Sequence, residues 1–210
     1  MCSHSSDKKY RIVVMGSAEV GKSSVVQRLL NREYSDGYIP TVEALYPLTE
    51  EKPTNCEQIS IEILDTAGAY NFPDMQRIYI SSANVILLVF SADNYDSFKE
   101  VLRLIEVIGK QIGNKMMDIH ILAVSAKSDI DPYRHKITLA EAELELMQWN
   151  IPVVETSAKE NTGFDFLRSL ISAYIGKMNT GCHDKPKHRL SRLLSKITKS
   201  KSADEDEESV

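Results

Sequence analysis

The sequence has little of what would mark a secreted, membrane-spanning or low-complexity protein. Only three of the 210 residues are cysteine, and Cys2, Cys56 and Cys182 lie too far apart for a disulfide framework or a metal-ligand motif. The 9 glycines and 7 prolines are too few for a collagenous or disordered chain. The sequence contains no run of about 18 apolar residues, so it predicts no membrane-spanning helix. Its N-terminus lacks the apolar core of a secretion signal. We therefore expect one globular domain with extra chain in a reduced, cytoplasmic compartment.

Charge is distributed unevenly along the chain. The formal net charge is −5, but residues 1–176 carry −7, residues 177–202 carry +7 and residues 203–210 carry −5. An acidic body lacks the basic face that binds nucleic-acid phosphates, so no nucleic-acid partner is expected. We predict an N-terminal extension over residues 1–9, a domain over residues 10–178, and a tail over residues 179–210 with a basic segment and an acidic end.

Apolar runs of strand length alternate with longer helical patterns. The predicted strands are residues 11–15, 58–64, 85–90, 119–124 and 151–154. The predicted helices are residues 22–31, 96–112, 139–149 and 163–177. Thr138, followed three residues later by Glu141, predicts a capping box at the start of the third helix. The alternation predicts an α/β fold, with a mostly parallel sheet, helices on both faces and ligands bound at the carboxyl ends of the strands.

A phosphate-binding loop is predicted directly after the first strand. Residues 16–23 read Gly-Ser-Ala-Glu-Val-Gly-Lys-Ser, which matches the pattern G-x-x-x-x-G-K-S/T. Its glycines let the backbone curl so that N–H groups surround a phosphate, and the positive end of the next helix faces the same point. Lys22 would reach the outer phosphates, and the Ser23 hydroxyl would ligate Mg²⁺.

Four further motifs indicate which kind of nucleotide-binding site the phosphate loop belongs to. Residues 65–68 (Asp-Thr-Ala-Gly) end the second predicted strand, where the carboxylate would hold the Mg²⁺ water shell and Gly68 would let a backbone N–H approach a γ-phosphate. Thr41 offers a hydroxyl between this motif and the phosphate loop. Residues 126–129 (Ala-Lys-Ser-Asp) and 155–159 (Glu-Thr-Ser-Ala-Lys) each follow a later strand.

These five motifs resemble, in order and approximate spacing, those of the Ras superfamily of small GTPases over about residues 10–178. The resemblance implies a six-stranded P-loop G domain, a signalling switch that binds GTP or GDP with Mg²⁺ and hydrolyses GTP. Within the family, residues 68–77 and 91–98 are most similar to the branch of Rhes and Di-Ras. Effector proteins would bind switch I (residues 38–44) and switch II, and an exchange factor and an activating protein are further implied partners.

The resemblance assigns a role to each matching residue. Ser23, Thr41 and Asp65 would hold Mg²⁺, and Lys22, Thr41 and Gly68 would act on the γ-phosphate. Tyr34 would cover the guanine ring, Lys127 would lie along it, and Asp129 would accept from its N1–H and amino group. Residues 157–159 would contact its C6 oxygen. The full predicted nucleotide-binding set is Gly16, Ser17, Ala18, Glu19, Val20, Gly21, Lys22, Ser23, Ser24, Tyr34, Thr41, Asp65, Gly68, Lys127, Asp129, Ser157, Ala158 and Lys159.

Three residues depart from the family pattern. Ala69 stands where most Ras-type switches have a glutamine that orients the attacking water, so slow hydrolysis is expected. Ala18 replaces a glycine beside the catalytic centre, where its methyl group would obstruct an arginine finger. Ala126 replaces the asparagine of N-K-x-D, which removes hydrogen bonds worth about 0.5–1.5 kcal/mol each. We expect weakened nucleotide binding; the alternative is a pseudo-GTPase that serves as a protein-binding module with little nucleotide turnover.

The tail carries a separate expectation. Four aliphatic residues lie at helical spacing among basic residues: Leu190, Leu193, Leu194 and Ile197. This pattern predicts an amphipathic helix over residues 185–201 on an anionic membrane, at the cytoplasmic face of the plasma membrane. No C-a-a-X box ends the chain, so prenylation is not expected; Cys182 is a candidate for palmitoylation, and the acids of residues 204–208 would weaken attachment. A solvated tail and a calmodulin-target segment are the alternatives.

Overall fold

The computed structural model describes residues 8–35, 43–50, 59–68, 73–113 and 119–180. Six strands are present: β1 Lys8–Met15, β2 Glu43–Glu50, β3 Ile59–Thr66, β4 Val85–Ser91, β5 His120–Ala126 and β6 Val153–Glu155. Five α-helices lie between and after them: α1 Lys22–Leu29, α2 Pro73–Ser82, α3 Tyr95–Ile112, α4 Leu139–Leu146 and α5 Phe164–Thr180. In the part of the chain that the structure covers, no helix has both the length and the apolar character to cross a membrane.

The strands form one sheet in the order β2-β3-β1-β4-β5-β6. β2 is antiparallel to β3, and the remaining neighbours are parallel. The parallel strands place their carboxyl ends at one edge, where the phosphate loop, residues 65–68, residues 126–129 and residues 155–159 follow. The predicted α/β class, with a mostly parallel six-stranded sheet, is therefore confirmed.

Alternating side chains of the sheet feed two hydrophobic layers. On one face, Ile12 and Val14 of β1 belong to a core that includes residues of α1 and α5. On the other, Val13 and Met15 belong to a core with residues of α2, α3 and α4. Every residue of β4 is buried, as its uninterrupted apolar sequence predicts for a central strand covered on both faces.

Two elements, β2 and α2, are absent from the elements predicted by periodicity. β2 is an edge strand with Pro47 in its interior, a residue that such strands tolerate and that weakens the strand signal. α2 buries only Gln76, Tyr79 and Ile80, so its apolar face is narrow. The third predicted helix is shorter than expected, because α4 ends at Leu146 and a 3₁₀ turn follows at Met147–Trp149.

The predicted capping box at the start of α4 is confirmed. The backbone N–H of Glu141 donates to the Thr138 hydroxyl over 3.3 Å, and the N–H of Thr138 donates to the Glu141 carboxylate over 2.8 Å. These hydrogen bonds satisfy backbone donors that the helix leaves unpaired. Residues 1–7 and 181–210, which carry most of the predicted extension (residues 1–9) and most of the tail, lie outside the described residues. The predicted domain limits therefore stay a prediction.

Candidate functional site

The phosphate loop connects β1 to α1 and folds over its own lysine. Lys22 is only 6 % exposed, and its ammonium donates to the backbone oxygen of Ser17 over 2.7 Å. Burial lowers the pKa of Lys22 to about 8, against the opposing effect of the Asp65 charge. A buried ammonium with a lowered pKa is held at an energetic cost that an anionic ligand would remove.

Asp65, at the end of β3, is the second buried charge of this site. It is 1 % exposed, and no described residue forms a hydrogen bond of normal geometry with either of its carboxylate oxygens. Burial raises the pKa of Asp65, while the Ser23 hydroxyl and the Lys22 ammonium favour its charged form. Unsatisfied buried carboxylate oxygens are costly unless a cation or a donor completes them.

These donors fit a magnesium ion. The Ser23 hydroxyl and the Asp65 carboxylate offer oxygen ligands only, which hard divalent cations prefer, and Mg²⁺ characteristically takes one or two protein oxygens beside water and phosphate. The unsatisfied oxygens of Asp65 supply the open coordination that such an ion needs. Thr41, the third predicted magnesium ligand, lies outside the described residues.

The end of residues 65–68 lies against the phosphate loop. An ideal Cβ built on Gly68 would sit 2.3 Å from the Cα and 2.4 Å from the N of Ala18, and 2.8 Å from the Lys22 ammonium. The structure therefore brings four predicted site residues together: Ala18, Lys22, Asp65 and Gly68. Ala69, the next residue along the chain, is outside the described residues.

A second cluster joins residues 126–129 to residues 157–160. The buried hydroxyl of Ser157 donates to the Asp129 carboxylate over 2.7 Å, and the N–H of Glu160 donates to the same hydroxyl over 3.1 Å. The N–H of Ser128 donates to the backbone oxygen of Thr156 over 3.1 Å. These bonds fix one carboxylate, that of Asp129, at the carboxyl end of the sheet.

Lys127 belongs to the same cluster and has an unusual backbone. Its φ is +63°, a left-handed conformation that side chains other than glycine adopt at some cost. Its ammonium lies 4.0 Å from a carboxylate oxygen of Asp93, which also accepts a 2.5 Å hydrogen bond from the Ser91 hydroxyl. Ser91 and Asp93 are not among the predicted site residues, although both lie in residues 91–98, which carry part of the family resemblance.

Ala126 is the residue of the second cluster that faces the phosphate loop. It is 4 % exposed, and its methyl group lies 3.7 Å from the point that a Cβ on Gly21 would occupy. In the sheet it pairs with Ser91 of β4. The residue that departs from N-K-x-D thus faces the phosphate loop with a methyl group, which can make no hydrogen bond across this gap.

The remaining predicted residues occupy the surroundings of these clusters. Ser24 is half-buried in the first turn of α1, Tyr34 is half-buried in the chain that follows α1, and Lys159 is exposed. One further residue was missed by sequence reasoning: Arg28 of α1 donates to the backbone oxygens of Ala158 over 2.6 Å and Lys159 over 3.4 Å. No sequence signal marks it, because its acceptors are backbone carbonyls 130 residues away.

Known proteins resemble this chain over most of its length. Residues 11–174 match the family model described as Ras family. The chain is 33% identical over 159 residues to "GTP-binding protein drn-1" of Caenorhabditis elegans, covering 74% of this chain and 70% of that protein. It is 37% identical over 165 residues to human "GTP-binding protein Rhes", covering 74% of this chain and 60% of Rhes. With human "GTP-binding protein Di-Ras1" it shares 35% identity over 154 residues, 72% of this chain and 74% of that protein.

Proposed function

The chain belongs to the Ras family of small GTPases, and from this premise we propose that it is a Mg²⁺-dependent signalling switch that binds GTP and GDP and hydrolyses GTP slowly. The observation that carries the proposal is the pair of buried charges, Lys22 in the phosphate loop and Asp65 at the end of β3. One of them suits an anion and the other a cation, and Mg²⁺ with a nucleotide polyphosphate supplies both.

The phosphate loop and the ends of two strands would hold the phosphates and the ion. Backbone N–H groups of residues 16–23 and the Lys22 ammonium would bind phosphate oxygens, because such loops cradle anions. Ser23 and Asp65 would hold Mg²⁺, with Thr41 as the expected third ligand. When bound, the ion neutralises charge on the β- and γ-phosphate oxygens. Gly68, packed against Ala18, would bring its N–H to the γ-phosphate.

Asp129 would select guanine. Its carboxylate is fixed by Ser157 and can accept from both the N1–H and the amino group of guanine, a donor pair that adenine lacks. Substitution tests this role directly. In Asp129→Asn, the amide oxygen can still accept from Ser157 while its NH₂ group faces the base, so preference should shift from GDP to xanthosine diphosphate by about 100-fold or more. Asp96→Asn, on the exposed face of α3, is the control and should change neither affinity.

Hydrolysis would be slow because Ala69 has no group that orients water. We expect single-turnover hydrolysis no faster than isolated Ras-type switches, about 10⁻⁴ s⁻¹. Ala69→Gln should raise this rate. A rate above about 10⁻² s⁻¹ in the unmodified protein would contradict the proposal.

The second candidate function, a protein-binding pseudo-GTPase, is favoured by Ala69 and Ala126. The nucleotide content of the purified full chain separates the two candidates, measured by denaturation and chromatography. Stoichiometric GDP or GTP supports the switch, since a bound nucleotide must survive purification to be found. Protein free of nucleotide that also fails to bind added Mg²⁺·GDP supports the binding module.

Effector contact and membrane contact complete the proposal. Effectors would bind switch I (residues 38–44) and switch II, and the basic segment over residues 185–201 would hold the protein on an anionic membrane. Liposome co-sedimentation of the full chain and of a chain ending at residue 180, with and without anionic lipid, tests the membrane contact. Equal sedimentation of both proteins would contradict it, whereas removal of residues 203–210 should strengthen binding.

A further inference from the structure

Arg28 connects the phosphate-binding helix to the loop at residues 157–160. It lies in α1, whose first residue is Lys22, and its half-buried guanidinium leaves the helix toward this loop. Its Nε–H donates to the Ala158 oxygen over 2.6 Å, and an Nη–H donates to the Lys159 oxygen over 3.4 Å. A planar guanidinium that engages two successive carbonyls fixes the orientation of both peptide units.

Peptide planarity carries this orientation to the other side of the loop. In a trans peptide the C=O and N–H bonds point in opposite directions, so a carbonyl held toward Arg28 turns its partner N–H away from α1. The Ala158 carbonyl shares its peptide with the N–H of Lys159. The Lys159 N–H is therefore directed away from Arg28, and the guanidinium charge polarises the peptide and strengthens this donor.

The second peptide extends the contact as far as Asp129. The Lys159 carbonyl accepts from Arg28, and the N–H of the same peptide, that of Glu160, donates to the Ser157 hydroxyl over 3.1 Å. That hydroxyl donates to the Asp129 carboxylate over 2.7 Å. A continuous chain of hydrogen bonds thus runs from α1 through one peptide and one hydroxyl to the carboxylate. Polarised chains of this kind reinforce each bond along them.

Arg28 is itself anchored from a third element. Arg168 of α5 donates to the backbone oxygen of Arg28, and to the side-chain oxygen of Asn31 over 2.7 Å. The end of α1 is therefore tied to α5 as well as to residues 157–160. Ala126, whose methyl group faces Gly21, can form no side-chain hydrogen bond to the phosphate loop, whereas Arg28 does form hydrogen bonds from α1 to the base side.

We propose that Arg28 is a positioning residue for guanine recognition, which orients the Lys159 N–H and the Asp129 carboxylate and thereby sets the rate at which guanine nucleotide dissociates. The proposal rests on the proposed function, since it concerns the nucleotide that this site would bind. Arg28, a helix residue outside every sequence motif, would thus hold two separate contacts to the base in position.

Dissociation kinetics of the full-length protein test the proposal. The probes are GDP and 2-aminopurine riboside diphosphate, both carrying a fluorescent group on the ribose; the second lacks the C6 oxygen and the N1–H that the positioned groups would contact. Arg28→Ala should accelerate GDP release at least tenfold, which corresponds to about 1.4 kcal/mol. It should change release of the 2-aminopurine nucleotide less than threefold. Arg28→Lys keeps the charge without the fork and should give an intermediate rate.

Arg103→Ala is the matched control, because the Arg103 guanidinium is likewise held by hydrogen bonds, in its case two to Glu100 on the surface of α3. It should leave both release rates within twofold of the unmodified protein. Equal acceleration of both nucleotides by Arg28→Ala would indicate a merely structural role and overturn the proposal, as would unchanged GDP release. If Arg28→Ala fails to fold, Arg28→Lys decides by the same GDP-selective acceleration. Failure of the unmodified protein to bind GDP would instead overturn the proposed function.

Discussion

The phosphate end and the base end of the site are assembled in different ways. The phosphate end uses one contiguous loop, residues 16–23, with Asp65 and Gly68 packed against it. The base end joins residues 126–129, residues 157–160 and Arg28 by hydrogen bonds between distant parts of the chain. The first depends on two buried charges, whereas the second depends on several weaker contacts. Single substitutions should therefore abolish phosphate binding but change base binding by degrees.

Lys22→Met, at the phosphate end, should have the largest effect on nucleotide affinity of the substitutions that test this difference. Methionine keeps the length and apolar stem of lysine but removes the buried ammonium, and removing one partner of a buried charge pair costs about 3–5 kcal/mol. Affinity for Mg²⁺·GDP should fall by about 1,000-fold, measured by equilibrium titration. Lys99→Met, on the exposed side of α3, is the control and should bind normally. A loss below tenfold would show that the two ends do not differ in this way.

Two glycines test the backbone of each end in parallel. An ideal Cβ on Gly16, whose φ is +143°, would sit 2.1 Å from the Val89 oxygen; on Gly163, with φ +81°, it would sit 2.0 Å from the Glu155 oxygen. Gly16→Ala and Gly163→Ala should each lower the free energy of unfolding by about 2–3 kcal/mol in urea titrations. At Gly176 in α5, an added Cβ would meet no atom within 4 Å beyond its chain neighbours and its own helix backbone, so Gly176→Ala should raise it by about 0.5–1 kcal/mol. Equal effects at all three positions would contradict the close-approach argument.

The pKa of Lys22 predicts a pH dependence of the phosphate end. In the unfolded chain the pKa of Lys22 is about 10.5, whereas in the folded protein burial lowers this pKa to about 8. Between these values the unfolded chain binds more protons, so the free energy of unfolding of nucleotide-free protein should rise with pH. From pH 8 to pH 10 the rise attributable to Lys22 should be on the order of 2 kcal/mol. Denaturant titrations should show it in the unmodified protein but not in Lys22→Met; the same rise in both would contradict the assignment.

The sequence marks the phosphate end more directly than the base end, for a physical reason. A phosphate loop is contiguous, so glycine, lysine and serine at fixed spacing imply its geometry directly. Arg28 acts on backbone carbonyls of Ala158 and Lys159, and backbone acceptors leave no trace in residue identity. Likewise, Ser91 and Asp93 approach Lys127 only because β4 and β5 are neighbours in the sheet.

Elements of the fold could be predicted where their own residues carry the burial pattern. β4 is apolar throughout and central, so its pattern and its burial agree. β2 lies at the edge of the sheet and carries Pro47, so its sequence gives a weak strand pattern. The strand forms because it pairs with β3. α2 is held by a few buried residues and by a 2.8 Å hydrogen bond from the Tyr79 hydroxyl to Glu43. Tertiary contacts of this kind override weak local signals.

Restoring the missing amide at the base end should produce the smallest of the expected changes. In Ala126→Asn, the longer side chain replaces a methyl group that already faces Gly21, so it can hydrogen-bond both the phosphate loop and the base. GDP release should slow by about tenfold, since each bond contributes about 0.5–1.5 kcal/mol.

Ala126→Ser is the matched control for this change, because its hydroxyl is polar but too short to span both partners; release should stay within threefold of the unmodified protein.

Combining Ala126→Asn with Arg28→Ala tests whether the two connections act independently. Since the two connections involve different partners, Gly21 for Ala126 and the backbone of residues 158 and 159 for Arg28, their effects on the release rate should multiply, and the double variant should release GDP about as fast as the unmodified protein. If Ala126→Asn folds normally and does not slow GDP release, the lost amide does not limit the release rate. The contacts of the base end would then not contribute additively to GDP binding.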